Sequence, residues 1–281
     1  MVAYNDFTHL SQLGSLKFKS TTDTGIILTH IIWSDWAKGK STSSLVFDIS
    51  QFFPSLNHKL LVLILEKASL DSRVTTFFAN YLVKRSTSYM WNGFSSPMYD
   101  VNIGVGHGSA LSPIHSSLYL SPFLYILENW LKNRKIPISI LSFVDDSLII
   151  AQNKSFDISN SHLFCSYNVL SKLLDSFGLI IEHSKTEIFH FSRSQGFFNP
   201  PSLDLSPPGG PLLRPKDTWK YLGFIFNLTF HKYINHYANK AISTVKYMKL
   251  LGNLSQGISP LQKRLLYRCC VLPIVLYGFQ L

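Results

Sequence analysis

The stretch Ser139-Ile140-Leu141-Ser142-Phe143-Val144-Asp145-Asp146-Ser147-Leu148-Ile149-Ile150-Ala151 constrains this chain more than any other. Two short apolar runs, rich in β-branched residues, meet across adjacent aspartates. That pattern predicts a strand, a tight turn and a returning strand, with Asp145 and Asp146 at the apex. An Asp-Asp turn alone is also ordinary solvated punctuation, so its meaning depends on partners. One lies upstream in Ser44-Leu45-Val46-Phe47-Asp48-Ile49-Ser50, where another apolar run ends on a carboxylate. Carboxylates on neighbouring strand ends repel, a contact pair costing about 4 kcal/mol at an effective dielectric of ~20, and they stay ionised only around cations. Two magnesium ions about 3.5–4 Å apart, shared by such groups, clamp an in-line phosphoryl transfer.

With 281 residues and 46% hydrophobic content, the chain has room for one large domain or two to three small lobes around a real core. The net charge of +10 points to a polyanionic partner, although basic surfaces also serve solubility. Position sharpens this: from Arg214 to Arg268 there are ten Lys or Arg against one acid, Asp217. The C-terminal part is therefore where phosphate contacts are expected. Cys165, Cys269 and Cys270 lack zinc spacing, and the adjacent pair sits in an apolar run where buried free thiols are expected. The histidines show no HExxH pairing. No apolar run reaches the ~18 residues of a membrane span, and the N-terminus lacks a basic and apolar leader. An intracellular setting is expected, nuclear or cytoplasmic residence being undecided.

Along the chain, the pattern predicts one helix before Gly39, the Asp48 strand, and a buried helix over Leu56–Lys67. A further helical pattern follows from Leu70 to Asn80, then a hairpin about Asn92-Gly93 beside Lys84 and Arg85, an exposed basic turn able to touch a nucleic-acid backbone. Gly104-Val105-Gly106-His107-Gly108-Ser109-Ala110-Leu111-Ser112-Pro113 reads as a glycine-rich loop, with Ser112 an N-cap and Pro113 opening a long helix toward Trp130, bent near Pro122. Its spacing fits neither a Walker loop nor a dinucleotide fingerprint. After the aspartate hairpin come a helix from Ser159 to Gly178, a strand through Lys185 to Phe191, an irregular Pro/Gly-rich connection over Pro200–Pro215 that is the expected hinge, and an extended segment Trp219–Phe226. Two basic helices, His231–Leu251 and Pro260–Leu272, precede an apolar aromatic run, an ending that predicts a truncated domain.

In this order and spacing the motifs resemble the palm and thumb of reverse transcriptases, and among them those of non-LTR (LINE-type) retrotransposons, over roughly residues 20–281. The resemblance implies an α+β polymerase right hand: a palm of antiparallel sheet and packed helices, reduced fingers and a partial helical thumb. It divides the chain into an N-terminal fingers remnant (1–43), a palm (44–230) with an inserted fingers segment at about 70–100, and a partial thumb (231–281). It also implies RNA-directed DNA polymerisation with two Mg2+ ions, or Mn2+, on an RNA template, a DNA primer and deoxynucleoside triphosphates. Asp48, Asp145 and Asp146 match the metal-binding aspartates. Phe53 falls where the family keeps an aromatic gate under the incoming sugar, with core packing as its other reading. His107, Gly108 and Ser109 match the loop under template and nucleotide. Lys185 matches a lysine beside the leaving pyrophosphate, a general acid or else a solvated strand-edge residue. Tyr221, Leu222 and Gly223 match the primer grip, and Lys232, Lys240, Lys246 and Lys249 stand where helices hold the primer–template backbone.

Three departures bear on activity. His107 replaces a glutamine, and an imidazole cannot reproduce the reach of an amide that donates and accepts at once. The region before Asp48 is short, with only Lys38 and Lys40 as nearby cations, and no endonuclease-like region is present, so missing fingers or endonuclease regions of a larger element protein are expected partners. The sequence thus carries three readings: a reverse transcriptase domain, an inactive remnant that still binds nucleic acid, and an unrelated metal phosphohydrolase, the last lacking a nucleophile or His ligands at useful spacing.

Overall fold

The computed structural model describes residues 8–68, 70–106, 108–193, 200–206, 210–227, 231–250 and 257–279. Helix α1 (Thr21–Ala37) opens with a capping box in which the Ser20 side chain and Asp23 satisfy each other's backbone amides. It leads into β1 (Ser41–Phe47), the short α2 (Phe52–Ser55), α3 (His58–Lys67) and α4 (Ser72–Leu82). Four short strands follow: β2 (Arg85–Thr87), β3 (Met90–Trp91), β4 (Phe94–Ser95) and β5 (Tyr99–Val101). β3 and β4 pair about Asn92-Gly93, and both turn residues have positive φ, as a two-residue hairpin turn demands.

Helix α5 (Ser112–Asn133) contains Pro122. Ser112 is its first residue rather than the expected N-cap: Leu111 takes the cap position, and the Ser112 hydroxyl donates to the Gly106 carbonyl at 2.7 Å. Strands β6 (Ile138–Phe143) and β7 (Asp146–Asn153) form the aspartate hairpin, and α6 (Phe156–Ser176) ends just before Gly178. Lys185 does not lie on a strand as expected. It ends a 3-10 turn, His183–Lys185, ahead of β8 (Glu187–Phe191).

Beyond β8, β9 (Leu203–Asp204) pairs with β10 (Leu212–Leu213), so part of the Pro/Gly-rich connection is ordered as a small ribbon. β11 (Trp219–Tyr221) and β12 (Phe224–Phe226) form a second hairpin, followed by α7 (His231–Leu250) and α8 (Pro260–Leu266). The second basic helix is not continuous to Leu272. It passes through a π-helical segment, Tyr267–Val271, into α9 (Leu272–Val275). Pro273 explains the break, because it has no amide to return to the preceding turn.

The central sheet is antiparallel throughout, in the order β6-β7-β1-β8. Side chains alternate between two cores, as the two-residue period of a strand requires. One face carries Leu45, Phe47, Ile140, Ile149 and Ile188 into a core shared with α3, α5 and α6. The other carries Leu141, Leu148, Ile150, Phe189 and Phe191 against Leu28 and Ile32 of α1 and the aromatic β11–β12 hairpin. The fold is α+β, and the four strands are pinned from both sides so that their ends are fixed in space. Cys165 is half-buried, while Cys269 and Cys270, expected to be buried, are exposed on the π-helical segment.

Candidate active site

The site forms at one end of the sheet. Phe47, the last residue of β1, pairs with Ser147, so Asp48 follows directly beside the start of β7, where Asp146 pairs with Phe143 of β6. Val144 and Asp145 make the turn between β6 and β7. Only Asp145 stands at the expected apex, because the turn falls one residue earlier and Asp146 already opens β7, with Asp48 on the neighbouring strand end. The chain then keeps Asp48 in line: the Asp48 carbonyl accepts from the Glu182 amide and the Ser50 amide donates to the Ile180 carbonyl, both at 2.8 Å.

This crossing from 48–50 to 180–182 brings in the fourth charged group. Lys185 Nζ donates to Asp48 Oδ2 at 2.6 Å. The bond and charge of Asp48 hold the exposed ammonium above the ordinary lysine range, and Asp145 adds to the effect. Asp145 is raised from the ordinary aspartate value, chiefly by burial, with the Asp48 charge adding to it. Asp146 is exposed as a residue, yet the protein crowded about its carboxyl and the charges of Asp145 and Asp48 push it up to about 6. Three carboxylates therefore sense one another, with one ammonium among them.

Among the described residues no three His, Cys, Asp or Glu side chains are gathered into a group that could hold a metal ion. The donor chemistry nevertheless suits a hard cation: oxygen ligands only, two of them made harder to ionise chiefly by burial, with the neighbouring carboxylate charges adding to it. Lys185 supplies positive charge at Asp48.

The glycine-rich loop is strapped beside this end. Gly104 N donates to the Leu56 carbonyl and Val105 N to the Phe53 carbonyl, both at 2.8 Å, and Arg85 and His58 hydrogen-bond the Gly104 carbonyl at 2.9 and 2.6 Å. Phe53 is half-buried in α2 with its ring 5.6 Å from that of Phe52. Gly108 is exposed, and the Ser109 hydroxyl lies 3.2 Å from that of Tyr81. The expectation for His107 falls outside the described residues.

Leu222 and Gly223 form the β11–β12 turn, both with positive φ. Two tyrosines from the C-terminal helical region pin it: Tyr277 Oη donates to the Leu222 carbonyl at 2.6 Å, and Tyr237 Oη donates to that of Gly223. Tyr221 is buried on the same hairpin. Its hydroxyl has no hydrogen-bond partner among the described residues, and both burial and the Asp146 charge raise its pKa. The hairpin thus reaches the aspartates on one side and the C-terminal helices on the other. Lys232, Lys240, Lys246 and Lys249 are exposed on α7, and Lys232 donates to the Thr218 hydroxyl at 2.7 Å.

Sequence reasoning missed Gln12, which bonds to the Val144 turn, and Tyr277, which lies 55 residues from its partner Leu222. Neither stands in a periodic or motif-like context, so no local signal marks them.

The sequence model of the family described as reverse transcriptase (RNA-dependent DNA polymerase) matches residues 3–226. The RNA-directed DNA polymerase from mobile element jockey of Drosophila melanogaster is 23% identical over 241 residues, which is 83% of this chain and 25% of that protein. The chain therefore spans a quarter of the curated relative it matches. Among solved structures, telomerase from Candida tropicalis in complex with a TWJ fragment of telomeric RNA superposes with a TM-score of 0.59 at 14% identity, over 99% of this chain and 44% of that one. Apo telomerase from the same organism gives 0.55 at 13% identity, over 80% and 37%. At such identity the likeness speaks to the fold alone. From the sequence match over most of its length, the chain belongs to the reverse transcriptase family.

Proposed function

We propose that this chain is an RNA-directed DNA polymerase domain that adds deoxynucleotides to a primer 3′-hydroxyl. The observation that carries the reading is the mutual influence of Asp48, Asp145 and Asp146, delivered by two adjacent strand ends, with Lys185 bonded to Asp48. In this reading residues 44–230 act as palm, 1–43 and about 70–100 as fingers segments, and the helices from 231 onward as thumb.

Asp48, Asp145 and Asp146 would hold divalent cations, Mg2+ or Mn2+, which when bound activate the attacking hydroxyl and neutralise the triphosphate. Lys185, bonded to Asp48, would give a proton to the departing pyrophosphate. The loop strapped to Phe53 offers Gly108 and Ser109 to the nucleotide, and His107 is proposed as a nucleotide contact from its place in the sequence motif. Phe53 is proposed as the sugar gate. Leu222 and Gly223 steady the primer end, and Lys232, Lys240, Lys246 and Lys249 meet backbone phosphates in a salt-sensitive, sequence-independent contact. Template sequence is read by base pairing. The three free thiols support an intracellular setting.

The test is primer extension on an RNA template with Mg2+ and four deoxynucleotides, comparing the native chain, Asp145→Asn and His107→Gln. Extension that vanishes in Asp145→Asn supports the reading. Silence of the folded native chain with a gain in His107→Gln marks a copy disabled at one position. Silence in all three overturns the polymerase reading and leaves nucleic-acid binding.

A further inference from the structure

We infer that Gln12 is a positioning residue that locks the Val144–Asp145 turn in its strained conformation; its catalytic consequence rests on the polymerase reading. Val144 has φ +61°, a left-handed conformation that a β-branched residue avoids because its Cβ substituents crowd the backbone. Something must hold it there. The Gln12 side chain, with no exposed surface, spans the turn: Val144 N donates to Gln12 Oε1 at 2.9 Å, and Gln12 Nε2 donates to the Val144 carbonyl at 3.2 Å.

One amide therefore grips both polar groups of the strained residue. Its remaining capacity is also used, since Nε2 donates to Ser142 Oγ at 3.2 Å and Oε1 accepts from Gly14 N at 2.9 Å. With two N–H groups converging on one end and a carbonyl on the other, the amide has a single orientation that satisfies all four contacts.

The segment carrying Gln12 is itself fixed against β6. Leu13 N donates to the Ser142 carbonyl and Ser142 N to the Ser11 carbonyl, both at 2.8 Å, a short parallel bridge on the edge of the sheet. Close approach is possible because residue 14 is glycine: a Cβ there would stand 2.4 Å from Val144 N and 2.6 Å from Val144 Cγ2. The Ser117 hydroxyl of α5 donates to the Gly14 carbonyl at 2.9 Å, tying the clamp to the helix behind. Gln12 touches no reacting group. It acts through Val144 on the direction in which Asp145 leaves the turn.

The experiment compares the native chain, Gln12→Met, Gln12→Ala and the double variant Gln12→Met/Val144→Gly, with cooperative thermal unfolding as the check of folding. Native-state hydrogen exchange reads the clamp directly: the Val144 amide exchanges at least about tenfold faster in either single variant that folds, while Leu148 and Ile149 in β7 stay protected. Primer extension reads the positioning: kcat falls roughly 10- to 100-fold, as a small misplacement of a reacting group requires, with KM for nucleotide little changed. In the double variant kcat recovers several-fold, because glycine takes positive φ without the Cβ penalty.

Unchanged protection of the Val144 amide in a folded single variant overturns the clamp, and changed protection with an unchanged kcat overturns its positioning role. A native chain that protects Val144 yet extends no primer, with His107→Gln silent as well, overturns the polymerase reading while leaving the clamp standing, a result distinct from both.

Discussion

Lys185 Nζ and Asp48 Oδ2 meet at 2.6 Å although 137 residues separate them in sequence, and the lysine is exposed while the aspartate is half-buried. The ammonium thus occupies an oxygen that a cation would need. Lys185→Ala frees it, so divalent-ion affinity rises, by the modest amount that a solvent-screened ion pair allows. Polymerisation by the same variant falls if the lysine protonates the leaving group. Mn2+ titration followed by electron paramagnetic resonance, run beside primer extension, separates the two effects.

Asp146 gives a pH dependence. Its folded pKa is raised to about 6, so the folded state binds a proton more tightly than the unfolded chain between the ordinary aspartate value and that point. Stability from this group is full below the ordinary value and is lost as pH rises through about 6. Asp146→Asn is therefore more stable than the native chain at pH 7.5, and the difference closes by pH 4. Because Asp146 is exposed, solvent screening keeps the gain below about 1 kcal/mol, roughly 2–4 °C in Tm for a chain of this size. Melting curves across pH 4–8 check the sign, and Mg2+ should narrow the gap at pH 7.5 by stabilising the native chain alone.

Gly223 has φ +87°, and a Cβ there would stand 3.1 Å from the ring and hydroxyl of Tyr277. Gly223→Ala is expected to cost about 1–3 kcal/mol through backbone strain. Tyr277→Phe, which removes only the hydroxyl donated to Leu222, costs about 1 kcal/mol. Chemical denaturation measures both, and in extension assays both shorten the products more than they lower initial incorporation.

His115 is fully buried against the Phe78 ring, with neither ring nitrogen hydrogen-bonded among the described residues, and burial lowers its pKa to about 4. The unfolded chain binds the proton first as pH falls, so this group loses stability from about pH 6.5 down to its folded value. His115→Leu is expected to stabilise by about 1 kcal/mol at pH 7.5. The advantage grows by no more than about 2 kcal/mol at pH 5. Denaturation midpoints at the two pH values decide it.

Local chemistry made much of the architecture legible. The Asp145–Asp146 hairpin, the strand ending at Asp48, the Asn92-Gly93 turn and the helix stopping before Gly178 all follow from side-chain period and turn residues. Lys185 was misread because the β-prone run after it extends the strand pattern backward, whereas Thr186 and Lys185 donate their amides within a tight turn to His183 and Glu182. The exposure of Cys269 and Cys270 depends on the π-helical segment ahead of Pro273, which rotates the face that apolar spacing would bury. Gln12 was illegible for a different reason: its bonds reach a turn 132 residues away, and nothing in its own neighbourhood records that distance.

Asp48, the Val144–Asp145 turn and Lys185 all sit at the same end of β1, β7 and β8, whereas Ser41, Asn153 and Phe191 mark the opposite end. The molecule therefore has unequal tolerance to length change at its two poles. A residue inserted in the short links 38–40, 134–137 or 154–155 lengthens a connection at the pole opposite Asp48, Asp145, Asp146 and Lys185 and leaves the strand register untouched. A residue inserted between Phe143 and Asp146 turns the aspartates to a new heading at once. Descendants of this gene can be expected to differ in length at the first pole and to keep their count at the second.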